Sequence, residues 1–107
     1  MIMTNQKIFL QKIKSTVNSI EPDAQVILYG SRARGNANEN SDWDILILLN
    51  RKNVNLSDEQ IFRHQLFDIE LETGQVISTF VYSKDDWNKR MSATPLFENV
   101  MKEGFYI

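Results

Sequence analysis

Cysteine is absent from the 107 residues, which removes disulfides, thiolate zinc sites and thiol redox chemistry from the list of functions and fits a cytoplasmic protein. Histidine occurs once, at His64. A lone histidine inside a helical pattern is a surface or boundary residue far more often than a catalyst, and none is assigned to it. With four glycines and two prolines, the chain contains no repeat and no low-complexity linker. No apolar run approaches the roughly 18 residues of a membrane span, and no signal peptide is seen. An excess of basic charge is missing as well: 12 Lys and Arg against 14 Asp and Glu leave a net charge of -2. Such a chain has no bulk attraction to a phosphate backbone, so a polymerase-like grip on DNA is not expected.

What remains is ordinary for a globular protein, with 42% hydrophobic and 24% charged residues. Its length allows one domain over residues 1–107 with a single modest core, and no separate substrate domain.

Nearly all the candidate chemistry lies between two apolar runs in residues 26–50. Val26 to Tyr29 is a short, β-prone run that stops at Gly30 and reads as a buried strand ending in a turn. If Ser31 then opens a helical turn, its first N–H groups lack intrahelical partners and favour an anion such as phosphate. Arg32 and Arg34 add positive charge there, while Ala33 and Gly35 keep the surroundings small. A Walker loop is excluded because Asn36 and Ala37 follow Gly35 where Lys and Ser/Thr are needed. The dinucleotide fingerprint fails too, since Arg32 stands where its second glycine would be. Further on, Asp42 and Asp44 lead into Ile45 to Leu49. On a strand their α-carbons lie roughly 6 to 7 Å apart on one face. Two carboxylates so placed repel until a cation joins them, and oxygen ligands without His or Cys favour Mg²⁺ or Mn²⁺.

Gly30-Ser31, a ten-residue spacer and Asp42-x-Asp44, within Gly-Ser-Arg-Ala-Arg-Gly and Ser-Asp-Trp-Asp, resemble the signature of the DNA polymerase β-like nucleotidyltransferases. The short chain is most similar to the minimal members of that superfamily. The resemblance implies that Gly30, Ser31, Arg32, Arg34 and Ser41 bind a nucleoside triphosphate, most simply ATP, while Asp42 and Asp44 are the catalytic acids and metal ligands. It also implies transfer of a nucleoside monophosphate to a hydroxyl, and a HEPN-type protein partner of the kind similar minimal proteins accompany as antitoxins. One departure counts against full activity: Ser78 stands where the family carries a third carboxylate. Loss of a general base typically costs around 10² to 10⁴ in rate, so the alternative is a catalytically weakened nucleotide-binding or antitoxin subunit. Asp68, Glu70 and Glu72 are substitutes for the missing acid only if they fold back beside the pair.

The flanks read as scaffold. Residues 4 to 20 have apolar positions at helical spacing, at Phe9, Ile13, Val17 and Ile20. Ser57 with Gln60 reads as a capping box for a helix that runs through Ile61, Phe62, Leu66 and Ile69 and ends before Gly74. Residues 75 to 82 form a third strand, Ser83 caps another helix, and Thr94-Pro95 opens a last one through Met101, ended by Gly104. Phe105-Tyr106-Ile107 is an apolar tail that packs on the core or forms a subunit contact in a homo-oligomer. The expected fold is α+β: a small mixed sheet on residues 26–30, 43–49 and 75–82 with helices mainly on one face.

Overall fold

The computed structural model describes residues 4–107; the first three residues of the expected domain lie outside the described residues. Helix α1 (Asn5–Ile20) begins at Thr4, whose hydroxyl accepts the Lys7 N–H, and buries Phe9, Ile13 and Val17. Strand β1 (Gln25–Tyr29) runs into a one-turn helix α2 (Ser31–Arg34). Strand β2 (Trp43–Leu49) is followed by the long helix α3 (Leu56–Thr73) and strand β3 (Ile77–Ser83). Helix α4 (Lys84–Asn88), a 3-10 turn at Met91–Ala93, helix α5 (Pro95–Glu103) and strand β4 (Phe105–Tyr106) complete the chain.

The strands form one mixed sheet in the order β3-β2-β1-β4. β1 pairs antiparallel with β2 and with β4, whereas β2 and β3 are parallel. Parallel neighbours need a crossover of a dozen or more residues, and α3 supplies it. Residues on each strand alternate between the two sheet faces. On one face Val26, Leu28, Ile45, Ile47, Leu49, Ile77 and Val81 join the buried side chains of α1 and α3. On the other, Ile27, Tyr29, Leu46 and Leu48 meet Trp87 of α4 and Val100 of α5. The two long helices thus share one face, and the short C-terminal helices cover part of the other.

Three local expectations shift. The capping box of α3 is Asn55 with Asp58: the Asn55 side chain accepts the Asp58 N–H at 2.9 Å, and Asp58 accepts the Asn55 N–H at 3.0 Å. Ser57 instead donates to Asn55 Oδ1. The cap therefore lies two residues earlier, and the core positions of the helix are Phe62, Leu66 and Ile69, an i, i+4, i+7 series from which Ile61 drops out at 51% exposure. Gly74, in the left-handed conformation at φ 74°, ends α3 as expected. β3 begins at Ile77 rather than Gln75; before it the Val76 carbonyl accepts the Trp43 N–H at 2.9 Å and the Gln75 side chain accepts the Trp43 Nε1–H at 3.0 Å. The third shift is the tail. Phe105 and Tyr106 pair with Leu28 and Ile27 as a fourth strand, and the Ile107 N–H donates to Val26 O.

Candidate functional site

Tyr29 and Asp44 are partners across the antiparallel β1–β2 ladder, so the end of one strand and the start of the next bring the glycine turn and the acids together. Gly30 has φ 76° and ψ -160°, a backbone that side-chain-bearing residues rarely adopt. There is also no room for one: a Cβ on Gly30 would lie 2.1 Å from Asp44 Oδ2. The Asp44 carboxylate rests directly against the bare backbone of the turn. The Gly30 carbonyl accepts the N–H groups of Ala33 and Arg34, both at 3.0 Å, and Gly35 closes the turn at φ 81°. Among the described residues the N–H groups of Ser31 and Arg32 meet no acceptor, as expected of the first turn of a helix.

Asp42 is exposed and Asp44 half-buried. Burial pushes the Asp44 carboxyl above its ordinary range, the Asp42 charge pushes it further, Arg34 opposes this and Glu103 adds to it. The Tyr29 phenol is pushed up as well, first by burial and then by the charge of Asp44. Both shifts come first from burial and second from neighbouring negative charge. Ser78 is the partner of Asp44 across the parallel β2–β3 ladder. Adjacent strands lie about 4.8 Å apart, so the serine flanks the acid on its own sheet face, where the family's third carboxylate was expected.

The two arginines differ. Arg32 donates to the Ser41 carbonyl from Nη2 at 2.9 Å and Nε at 3.3 Å, and reaches the Glu39 carbonyl and Gln75 Oε1 at 3.4 Å. Its guanidinium also lies 4.3 Å from the centroid of the Trp43 ring. Arg32 therefore holds the 36–42 loop against the start of β2. Ser41 belongs to the same brace, its carbonyl taken by Arg32 and its hydroxyl accepting the Asn38 N–H at 3.0 Å. Arg34 instead faces the acids: its Nη1 donates to Glu103 Oε2 at 2.9 Å, and the Gly30 N–H donates to Glu103 Oε1 at 3.1 Å.

Glu103, on α5, was missed by sequence reasoning. Its partners are 69 and 73 positions away, and a glutamate in the last turn of a helix carries no local signal for such a role. The acids that sequence reasoning weighed as substitutes are elsewhere. Glu70 accepts the Ile77 N–H at 3.1 Å, and Glu72 pairs with Lys12 at 2.6 Å. Asp68 is exposed on α3. Among the described residues no group of three or more His, Cys, Asp or Glu gathers as a metal site.

What the donor set can do follows from these positions. Two hard carboxylates, one exposed and one half-buried, next to open backbone N–H groups suit a divalent cation that completes its shell with phosphate and water oxygens. Fold and site define a small mixed α+β domain with a glycine-serine turn and an aspartate pair at one end of its sheet. The nucleotidyltransferase domain family matches residues 10–94, a span that contains the turn, both aspartates and Ser78, and the chain belongs to that family. No curated protein matches it. Among solved structures the fold is similar to one described as a toxin-antitoxin with AMP-PNP, at 18% identity and a TM-score of 0.65, covering 90% of this chain and 69% of that one. A mutant of the toxin-antitoxin MntA-HpeT is similar at 16% identity and a TM-score of 0.64, with the same coverage. No helix among the described residues is long and apolar enough to cross a membrane.

Proposed function

We propose that this domain binds a nucleoside triphosphate, most simply ATP, together with Mg²⁺ or Mn²⁺, and transfers the nucleoside monophosphate to a hydroxyl acceptor. The observation that carries this reading is the Asp44 carboxylate lying against Gly30, because it makes the phosphate turn and the acid pair one unit. Ser31 and Arg32 present N–H groups to the phosphates, Arg34 supplies positive charge, and Asp42 with Asp44 hold the cation. When bound, the cation neutralises the triphosphate and stabilises departing pyrophosphate. The acceptor oxygen bonds to the α-phosphorus, the bond to pyrophosphate breaks, and the hydroxyl proton passes to water. Arg32 and Ser41 act by holding the loop that delivers Asp42.

Ser78 favours a second reading. With a hydroxyl beside Asp44 in place of a third acid, the domain serves as a nucleotide-binding or antitoxin subunit of weak activity. The toxin-antitoxin structures that share its fold support a protein partner, which we propose to be HEPN-type. A nucleotide-using chain of 107 residues without cysteine suits the cytoplasm as a single domain.

Calorimetric titration of ATP with and without Mg²⁺ tests the site: heat that requires Mg²⁺ supports it, and equal or absent heats from a folded sample overturn it. Label transfer from α-labelled ATP then separates the two readings. A transferase labels an acceptor at a rate that Asp44→Asn abolishes; a binding subunit shows metal-dependent heat and no label.

A further inference from the structure

Resting on the nucleotide-site reading, we propose that Glu103 occupies the place of a phosphate oxygen while no nucleotide is bound, so that nucleotide entry displaces it and loosens the C-terminal strand. The Glu103 carboxylate takes one N–H of the glycine turn and the guanidinium of Arg34. Arg34 is the positive charge assigned above to the triphosphate, and the Gly30 N–H directly precedes the Ser31 and Arg32 N–H groups. The side chain is only 16% exposed, and its carboxyl is held below the ordinary range, first by the Arg34 hydrogen bond and also by the Gly30 N–H. It therefore stays ionised and competes as an anion. It also adds negative charge beside Asp44, which makes its departure on triphosphate binding favourable by charge as well as by space.

The connection to the strand is short. Gly104 follows directly, packed so closely that a Cβ would lie 2.6 Å from Val100 O and 3.0 Å from Ile27 Cγ2. Beyond it β4 is held by two residue pairs and by the Ile107 N–H on Val26 O, and both of its side chains are exposed. A segment with so few buried contacts sits at the low-stability end of the molecule. Withdrawal of Glu103 from Gly30 and Arg34 removes a polar anchor two residues before that strand.

The experiment compares Mg²⁺-ATP affinity by calorimetry for wild type, Glu103→Ala and Glu103→Gln, with hydrogen exchange at the Ile107 amide as a second readout. Removing the competitor should tighten binding about tenfold in Glu103→Ala, the equivalent of one charge-assisted hydrogen bond, and by less in Glu103→Gln, which keeps the shape without the charge. In wild type, Mg²⁺-ATP should speed exchange at Ile107. If Glu103→Ala does not fold, tighter binding by Glu103→Gln carries the proposal. Unchanged or weaker binding by the folded variants would overturn it, since Glu103 would then be a brace for Arg34. Slower exchange at Ile107 with nucleotide overturns it too. If wild type binds no Mg²⁺-ATP but Glu103→Ala does, the competition is supported in its strongest form. If none of the three binds, the nucleotide-site reading itself has failed.

Discussion

The two faces of the sheet are built differently. Against α1 and α3 the strands bury an unbroken apolar layer in which Ile13, Val17, Ile45, Ile47 and Leu49 are wholly inaccessible. Against α4 and α5 the apolar layer ends at Tyr29, and the same strands continue into Asp44, Ser78 and the partly exposed Phe80. A sheet covered on both faces at one end and on one face at the other gains stability from the first arrangement and reactive groups from the second. Charged side chains collect where burial is incomplete because full burial of an unpaired carboxylate costs too much.

The comparison is broken most severely from the dry side. Ile45→Ala should destabilise the domain by about 3 kcal/mol, a fall in melting temperature of roughly 12 °C or more. Leu96→Ala on the opposite face, where the side chain is half-buried, should cost about 1 kcal/mol. Equal losses in thermal denaturation would show the faces to be equivalent. Next in size is Gly30→Ala, expected to cost about 2 kcal/mol from backbone strain and the collision with Asp44, and to abolish Mg²⁺-dependent ATP binding. An unaltered binding isotherm would separate the turn from the acids.

Asp44→Asn sharpens the contrast in the other direction. Because the Asp44 carboxyl is raised by burial and then by Asp42, its ionised form is unfavourable in the folded protein. The variant should melt at or above the wild-type temperature at neutral pH while losing metal-dependent binding. Calorimetric scanning decides this, and a large drop in melting temperature would mark the acid as structural.

The smallest effect is in pH dependence, where Asp44 and Glu103 oppose each other. A raised folded pKa means that the folded state binds the proton more tightly, so the Asp44 contribution to stability improves as pH falls through that value towards about 4. A lowered one means the reverse: the Glu103 contribution is present above about 4.3 and lost as pH falls through its folded pKa. Stability should therefore lose its rise between neutral pH and about 4 in Asp44→Asn, while the loss below about 4.3 should flatten in Glu103→Gln. Parallel curves for the two variants would contradict the shifts.

Strands and most caps were legible where the signal is local, the exception being the α3 cap at Asn55. Val26 to Tyr29, Trp43 to Leu49 and the Ser83 cap depend on neighbours a few positions away, whereas Ser78 was placed beside Asp44 by the family resemblance, alternation giving only its sheet face. The destinations of long polar side chains were not legible. Arg32 was expected at the phosphates, yet the Ser41 carbonyl and the Trp43 ring, brought to it by the folded loop, meet its guanidinium. Glu103 was invisible because its partners are distant in sequence, and β4 because two residues paired to an edge carry no periodicity.

The polarity of the strands also orders events in time. β1 and β2 are antiparallel and joined by residues 30–42, so the Gly30 and Asp44 half of the site can zip as soon as that loop closes. β2 and β3 are parallel and cannot pair until α3 has been laid across the sheet, a longer closure with a larger entropic cost. The Ser78 flank is therefore assembled after the turn and the acids. On the ribosome, the two groups expected to meet nucleotide and cation emerge and can pair before the strand that completes their surroundings.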